Sequence, residues 1–179
     1  NFVSKTGQQQ GGAVVGSIGL DHESYRLDFD YGAPLGDNTY FHVGGFYRTG
    51  EGARDIGYNG SNGGQIRANL TQEFDGGYIR FFGKYLDDKT PTILPQPVFV
   101  GGTNDDPDYQ AIANFDPRDD ALYSRYINTV ATLDGSNNPA VYDFHDGLSV
   151  NSKSFGVEAE IEFAPGWTAT NRFRYSDNS

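Results

Sequence analysis

The chain of 179 residues contains no cysteine and no methionine. The first absence excludes a disulfide framework and any thiolate-bound metal. The second, with Asn1 as the first residue, leaves no initiator, and no charged-then-apolar leader follows. The chain therefore reads as an internal piece of a longer precursor. Long apolar runs are missing as well. None approaches the roughly 18 residues of a membrane helix, so any contact with a bilayer must be made by strands. The helix formers Leu, Ala, Glu and Lys are scarce. Positive charge is short: 13 Lys and Arg stand against 24 Asp and Glu, and the formal charge of −11 argues against nucleic acid as a partner. There is no nucleophile elbow, phosphate-cradling glycine loop or paired acid and base, so nothing points to an enzyme.

What is present is β chemistry: 24 Gly, 12 Tyr and 13 Phe, a composition of strands and tight turns. A period-two alternation restarts in segment after segment. Tyr25, Leu27, Phe29 and Tyr31 alternate with Arg26, Asp28 and Asp30. Phe155, Val157, Ala159, Ile161 and Phe163 alternate with Glu158, Glu160 and Glu162. Successive side chains of a strand point to opposite faces, so one face is apolar and the other charged. Soluble sandwiches seldom line a face with this many ionised groups. A membrane β-barrel does so, with lipid outside and a wet lumen inside.

The alternation resolves into hairpins. Val14–Leu20 reads as a first strand and Ser24–Tyr31 as a second. Gly32–Thr39 is a turn, with Tyr40–Arg48 returning. Pairing Tyr31 with Phe41 sets Phe29 against Val43, Tyr25 against Tyr47, and Asp30 against His42 on the other side. After a glycine-rich loop, Thr49–Gly64, a second hairpin joins Gln65–Thr71 to Tyr78–Leu86 around Gln72–Gly77. Ile66, Ala68 and Leu70 then share a face with Ile79, Phe81 and Tyr85, while Arg67, Arg80 and Lys84 lie on the other. A last hairpin, Lys153–Phe163 and Trp167–Asp177, sets Glu158 opposite Arg172 and Glu160 near Thr170, Arg172 and Arg174. The sequence thus predicts an all-β, antiparallel up-and-down meander of about seven strands, part of an outer-membrane-type barrel. The apolar residues Tyr25, Leu27, Phe29, Tyr31, Phe41, Val43, Phe81, Phe155, Ile161 and Phe163 are expected on a lipid-facing or assembly face. Glu158, Glu160, Arg172 and Arg174 are expected to form ion pairs on the polar face. Short connections alternate with long ones, as periplasmic turns alternate with extracellular loops.

The long segment Asp87–Asn151 opens with Pro91, Pro95 and Pro97, which do not fit a central strand. It carries eleven Asp against three Lys or Arg, a net charge of −8. Its aromatics argue for a folded extracellular loop rather than a solvated tail. Within it Asp105, Asp106 and Asp108, with Asp116, Asp119 and Asp120 further on, are candidate Ca²⁺ ligands, although their spacing matches no standard calcium loop. A solvated acidic loop is the alternative. No other cofactor is indicated, and His22, His42 and His145 lack the spaced partners of a zinc site. Tyr58, Phe99, Tyr109, Tyr123 and Tyr126 are candidates to stack on a ligand, or to form the loop's own small core.

The run YRLDFDYGAPLGDNTYFHVGGFYRTGEGARDIGYNGSNGGQIRANLTQEFDGGYIRFFGKYLDDKTP resembles the early barrel strands of TonB-dependent outer-membrane receptors. NFVSKTG resembles the end of that family's plug domain, and WTATNRFRYSD a further barrel strand. The order of hairpins carries the likeness, which is weakest across Gly101–Val150. The resemblance implies a plugged barrel of about 22 strands that imports siderophores, cobalamin or glycans with energy relayed by TonB. It divides the chain into the end of the plug (1–10), the first barrel strands (11–86), a long acidic extracellular loop (87–152) and a further hairpin (153–179). It implies outer-membrane lipid, the remaining barrel and the plug as partners, with TonB contacted only by a segment that this chain lacks. Seven strands with two free edges would not transport alone. Two other readings remain open: a fragment that assembles with its own copies through the edges into a tube or fibre, and a secreted glycan-binding module.

Overall fold

The computed structural model describes residues 4–92, 96–117, 119–120, 126 and 128–179. Its main body is one seven-stranded antiparallel sheet. Five strands follow one another: β1 (Gly11–Ile18), β2 (Ser24–Pro34), β3 (Thr39–Gly50), β4 (Ser61–Phe74) and β5 (Gly77–Thr90). An excursion then forms two small separate hairpins, β6 (Phe99–Gly102) with β7 (Pro107–Gln110) and β8 (Thr129–Leu133) with β9 (Pro139–Asp143). The chain returns as β10 (Leu148–Ala164) alongside β5, and β11 (Trp167–Asn178) completes the sheet in the order β1-β2-β3-β4-β5-β10-β11. The up-and-down meander read from the sequence is therefore the observed fold.

The turns explain the order. Asp75–Gly76 and Pro165–Gly166 close two hairpins, with Gly76 and Gly166 at φ of +84° and +77°, the left-handed region that glycine enters without a Cβ penalty. With the turn after Pro34, these short connections lie at one end of the sheet. The opposite end carries the connections after Ile18, Gly50 and Thr90.

Two expectations need correction. The β2–β3 register is displaced by two residues: Tyr31 lies opposite Val43, Phe29 opposite Gly45 and Tyr25 opposite Thr49. Ala33 and Pro34 extend β2, and the turn tightens to Leu35–Asn38, closed by Leu35 N–H on the Thr39 carbonyl at 2.7 Å. A slip of two preserves both faces, since only odd slips exchange them. The strands β3, β4, β5 and β10 are also longer than expected at the long-loop end, whereas β1 occupies Gly11–Ile18 and stops short of the expected Leu20. Asp87–Thr90 pairs with Leu148–Asn151, and Ser61–Gly64 pairs with Tyr47–Gly50. These residues do not alternate, but the ladder continues through their backbone groups.

Candidate functional site

The two faces of the sheet are the candidate site. Following the register, one face carries Val14 and Ile18 of β1, then Tyr25, Leu27, Phe29 and Tyr31 of β2 and Phe41, Val43 and Tyr47 of β3. It continues through Ile66 and Leu70 of β4, Ile79, Phe81 and Tyr85 of β5, Phe155, Val157 and Ile161 of β10, and Phe173 and Tyr175 of β11. All ten expected apolar positions thus fall on the strand parity assigned to them, including Phe163, whose ring lies 6.5 Å from Trp167. Most of these side chains are exposed: Val14 by 72%, Phe155 by 55%. Of the sheet's buried side chains, Tyr40, His42, Thr71 and Ser152 belong to the opposite, polar face, and Ala33, opposite Phe41, to the apolar one. Polarity is inverted relative to a protein folded in water, where the apolar face is the one withdrawn from solvent.

The apolar face is a band with edges. Tyr25, Tyr47, Tyr85 and Tyr175 lie toward the long-loop end; Phe41, Phe74, Phe163 and Trp167 lie toward the short-turn end. Beyond the tyrosines the same face becomes polar, at Asn62, Asp87, Lys89, Asn151 and Asp177. Lys153 lies opposite Tyr85, its ammonium 5.8 Å from the ring centre. A stretch such as Phe155–Phe163 spans about 26 Å along its strand at ~3.3 Å per residue. With strand tilt, that is close to the height of an apolar belt.

On the polar face, charges pair across strands. Glu158 accepts from the Tyr78 hydroxyl, sits 3.1 Å from Arg172 Nε and lies 3.6 Å from Arg80 Nη1. Arg80 Nε donates to Thr71 Oγ1 at 2.9 Å. Among the described residues Glu160 accepts only the Thr170 hydroxyl, at 3.5 Å, and Arg174, opposite Gly156, has no ion pair. Of the expected set, Glu158 and Arg172 are brought together and the other two are not.

Two contacts escaped the sequence reading. Arg48 of β3 grips Asp88 of β5 with two bonds of 2.9 and 2.7 Å, reaching across β4 at the point where Gly63 carries no side chain. The signal was a glycine placed between opposite charges, legible only once the register is known. The second is a strap formed by residues 4–10 on the polar face. Lys5 Nζ contacts Asp30 Oδ2 at 2.9 Å, and Asn69 Nδ2 donates to the Lys5 carbonyl at 2.9 Å. Gln8 Nε2 donates to Tyr40 Oη at 3.1 Å and to Glu73 Oε1 at 3.0 Å. Gly7 packs so closely on Gly32 that a Cβ on the latter would lie 2.8 Å from Gly7 Cα. His42 Nε2 reaches the same Asp30 carboxylate at 3.3 Å, so the expected Asp30–His42 contact forms diagonally although Asp30 lies opposite Gly44.

The long-loop end holds the remaining candidates. Ile56 is buried against Gly60 and Pro91, Asp55 N–H donates to the Asp119 carbonyl at 3.0 Å, and Arg54 donates to the Pro117 carbonyl, so the β3–β4 loop and the excursion clasp one another. Tyr58 stacks on His145 with ring centres 3.9 Å apart. Phe99 and Tyr109 are exposed on β6 and β7, opposite Gln110 and Val100, and Tyr126 is exposed on its own segment. Tyr123 lies outside the described residues. Asp105, Asp106 and Asp108 do not converge: no group of three or more acidic or histidine side chains suited to a metal occurs among the described residues. Asp106 meets Thr103 through its backbone N–H and carbonyl, and the Asp108 carboxylate accepts from Gln110, so the three carboxylates are not gathered as a calcium site.

The sheet has two free edges, β1 and β11, and every residue of both strands is exposed. Both run from the short-turn end toward the long-loop end. In comparisons with known proteins, no family model, curated protein or solved structure matches the chain.

Proposed function

We propose that this chain is a stretch of the wall of an outer-membrane-type β-barrel, of the TonB-dependent receptor kind. Its apolar band faces lipid, its polar face lines the lumen, and its acidic long-loop end lies outside the cell. The inverted polarity carries this reading. A sheet that exposes Val14, Phe81 and Phe155 while burying His42 and Thr71 gains nothing from water on its apolar side and is matched by hydrocarbon there. The band's height, its aromatic margins and the alternation of short turns with long connections support it. The strap of residues 4–10 lies where the end of a plug would meet the first strands. The chain contributes wall and outer loops to ligand uptake and does not transport alone. Ion pairing of Arg80 and Arg172 with Glu158 fits a wet, charged lumen.

Trp167 is the only tryptophan and sits in the lower aromatic margin, which makes the reading directly testable. Reconstituted into vesicles containing brominated lipid, Trp167 fluorescence should be strongly quenched by the bromines and protected from aqueous iodide. A stable detergent-free particle with Trp167 fully open to iodide would overturn the proposal.

The free edges favour one second reading, in which copies pair edge to edge into a tube or fibre. Electron microscopy of the purified chain decides it: only small monodisperse particles would be seen if the edges do not join copies.

A further inference from the structure

Arg48, Gly63 and Asp88 define a rule for this sheet: a cation and an anion two strands apart close into a two-bond pair when the strand between them offers a glycine. The same arrangement occurs a second time. Asp30 of β2 lies opposite Gly44 of β3, and Gly44 lies opposite Arg67 of β4. The ideal Cβ position of Gly44 is 3.2 Å from Asp30 Cβ and 3.4 Å from His42 Cε1, so Asp30 borders this gap together with the imidazole that shares its carboxylate. Here the pair is not made. Asp30 is held instead by Lys5 of the strap and by His42, and among the described residues Arg67 has no ion pair, while the residue opposite it on β5 is a second cation, Lys84. Like charges directly opposite each other disfavour this arrangement, and Asp30 is the nearest carboxylate in that cross-strand row.

We infer that the strap of residues 4–10 is a releasable contact, with Asp30 as its exchange point. With the strap docked, Asp30 binds Lys5. With the strap lifted, Asp30 turns across Gly44 to Arg67, relieving the Arg67–Lys84 opposition. The wall thus supplies a replacement partner for the charge that the strap leaves behind, and undocking does not strand a carboxylate on a half-buried face. Reach is not an obstacle, because Arg48 and Asp88 span the same two strand spacings, about 9.6 Å between backbones. The Gln8 contacts with Glu73 and Tyr40 differ, because the nearby cation, Arg80, is already engaged by Thr71 and Glu158.

The test is a pair of double-mutant cycles between Asp30→Asn and Arg67→Gln, measured by reversible unfolding of the full chain in a nonionic maltoside. One cycle uses the unmodified chain and the other carries Lys5→Gln. Coupling should be undetectable in the first and reach about three- to tenfold in the unfolding equilibrium constant in the second. Gly44→Val in the Lys5→Gln background should abolish it by filling the gap. The Arg67 Nε–Hε resonance should move on Lys5→Gln and return with Asp30→Asn, a readout independent of stability. Equal coupling in both backgrounds, coupling that survives Gly44→Val, or an Arg67 resonance indifferent to Lys5 would each overturn the inference.

Discussion

Phe81 in the seven-stranded sheet and Phe99 in the excursion are exposed to nearly the same degree, 50% and 56%. The two aromatics nonetheless belong to different kinds of surface. Phe81 sits between Leu70 and Val157 in a row of apolar side chains that crosses from strand to strand. Phe99 lies opposite Gln110 on a four-residue strand with no further neighbour. The excursion's hairpins carry the same strand-forming residues as the wall, but each row is only two strands wide, as where Ala131 and Leu133 meet Val141 and Pro139. Exposure alone does not distinguish these two surfaces; continuity of the row does.

Charge separates the two regions most sharply. Phe81→Arg should destabilise the chain in a bilayer by about 2–4 kcal/mol, the cost of a cation near the membrane midplane. Phe99→Arg should change stability by less than about 0.5 kcal/mol, as at an ordinary surface position. Denaturant unfolding in lipid vesicles measures both, and equal costs would erase the distinction. The polar face gives a smaller contrast. Glu158 is shared by Tyr78, Arg80 and Arg172 and its side chain is only 14% exposed, so Glu158→Gln should cost about 1–2 kcal/mol through the unpaired Arg80. Asp146→Asn, which removes an exposed pair with Lys89, should cost less than about 0.5 kcal/mol in the same measurement.

Local clasps should respond locally. Ile56→Ala should cost about 1–2 kcal/mol at the long-loop end. The expected sign is faster amide exchange at Asp55, whose N–H bonds the Asp119 carbonyl, with no change at β10. The smallest effect concerns the β8–β9 turn. Backbone N–H groups of Asn138 and Ser136, and the Asn138 side chain, hold the Asp134 carboxyl below its usual range. A lowered carboxyl contributes order that is complete above the ordinary Asp value of about 3.9 and lost as pH falls through the lower folded value. Exchange protection at Ser136 and Asn138 should therefore hold down to about pH 4 and fade below it, and Asp134→Asn should flatten the profile.

Most of the wall was legible because alternation is a local property. Phe155–Phe163 declares its two faces without reference to any neighbour, and Pro165–Gly166 declares where the strand reverses. What escaped is what depends on register or on contacts distant in sequence. Pairing Tyr31 with Phe41 and pairing it with Val43 both keep apolar residues together, so the pattern alone does not choose between them; the exact turn residues do. The Arg48–Asp88 grip needs three strands aligned before Gly63 acquires meaning. The strap lies in a Gln-rich segment with no alternation, and its partners Asp30, Asn69 and Glu73 are 25 to 65 residues away. The acidic excursion misled in the opposite direction: closely spaced aspartates suggested a shared ion, but closeness in sequence did not gather their carboxylates.

One property of the edges governs any completion of the wall. An antiparallel ring alternates up and down, so its strand number is even. Seven strands, with β1 and β11 pointing the same way, leave an odd number to be supplied. A second copy joined head to tail supplies the right number but meets each edge in parallel, whereas an inverted copy paired edge to like edge meets both in antiparallel. Whatever closes an antiparallel wall here must present at both of its own edges strands that run opposite to β1 and β11.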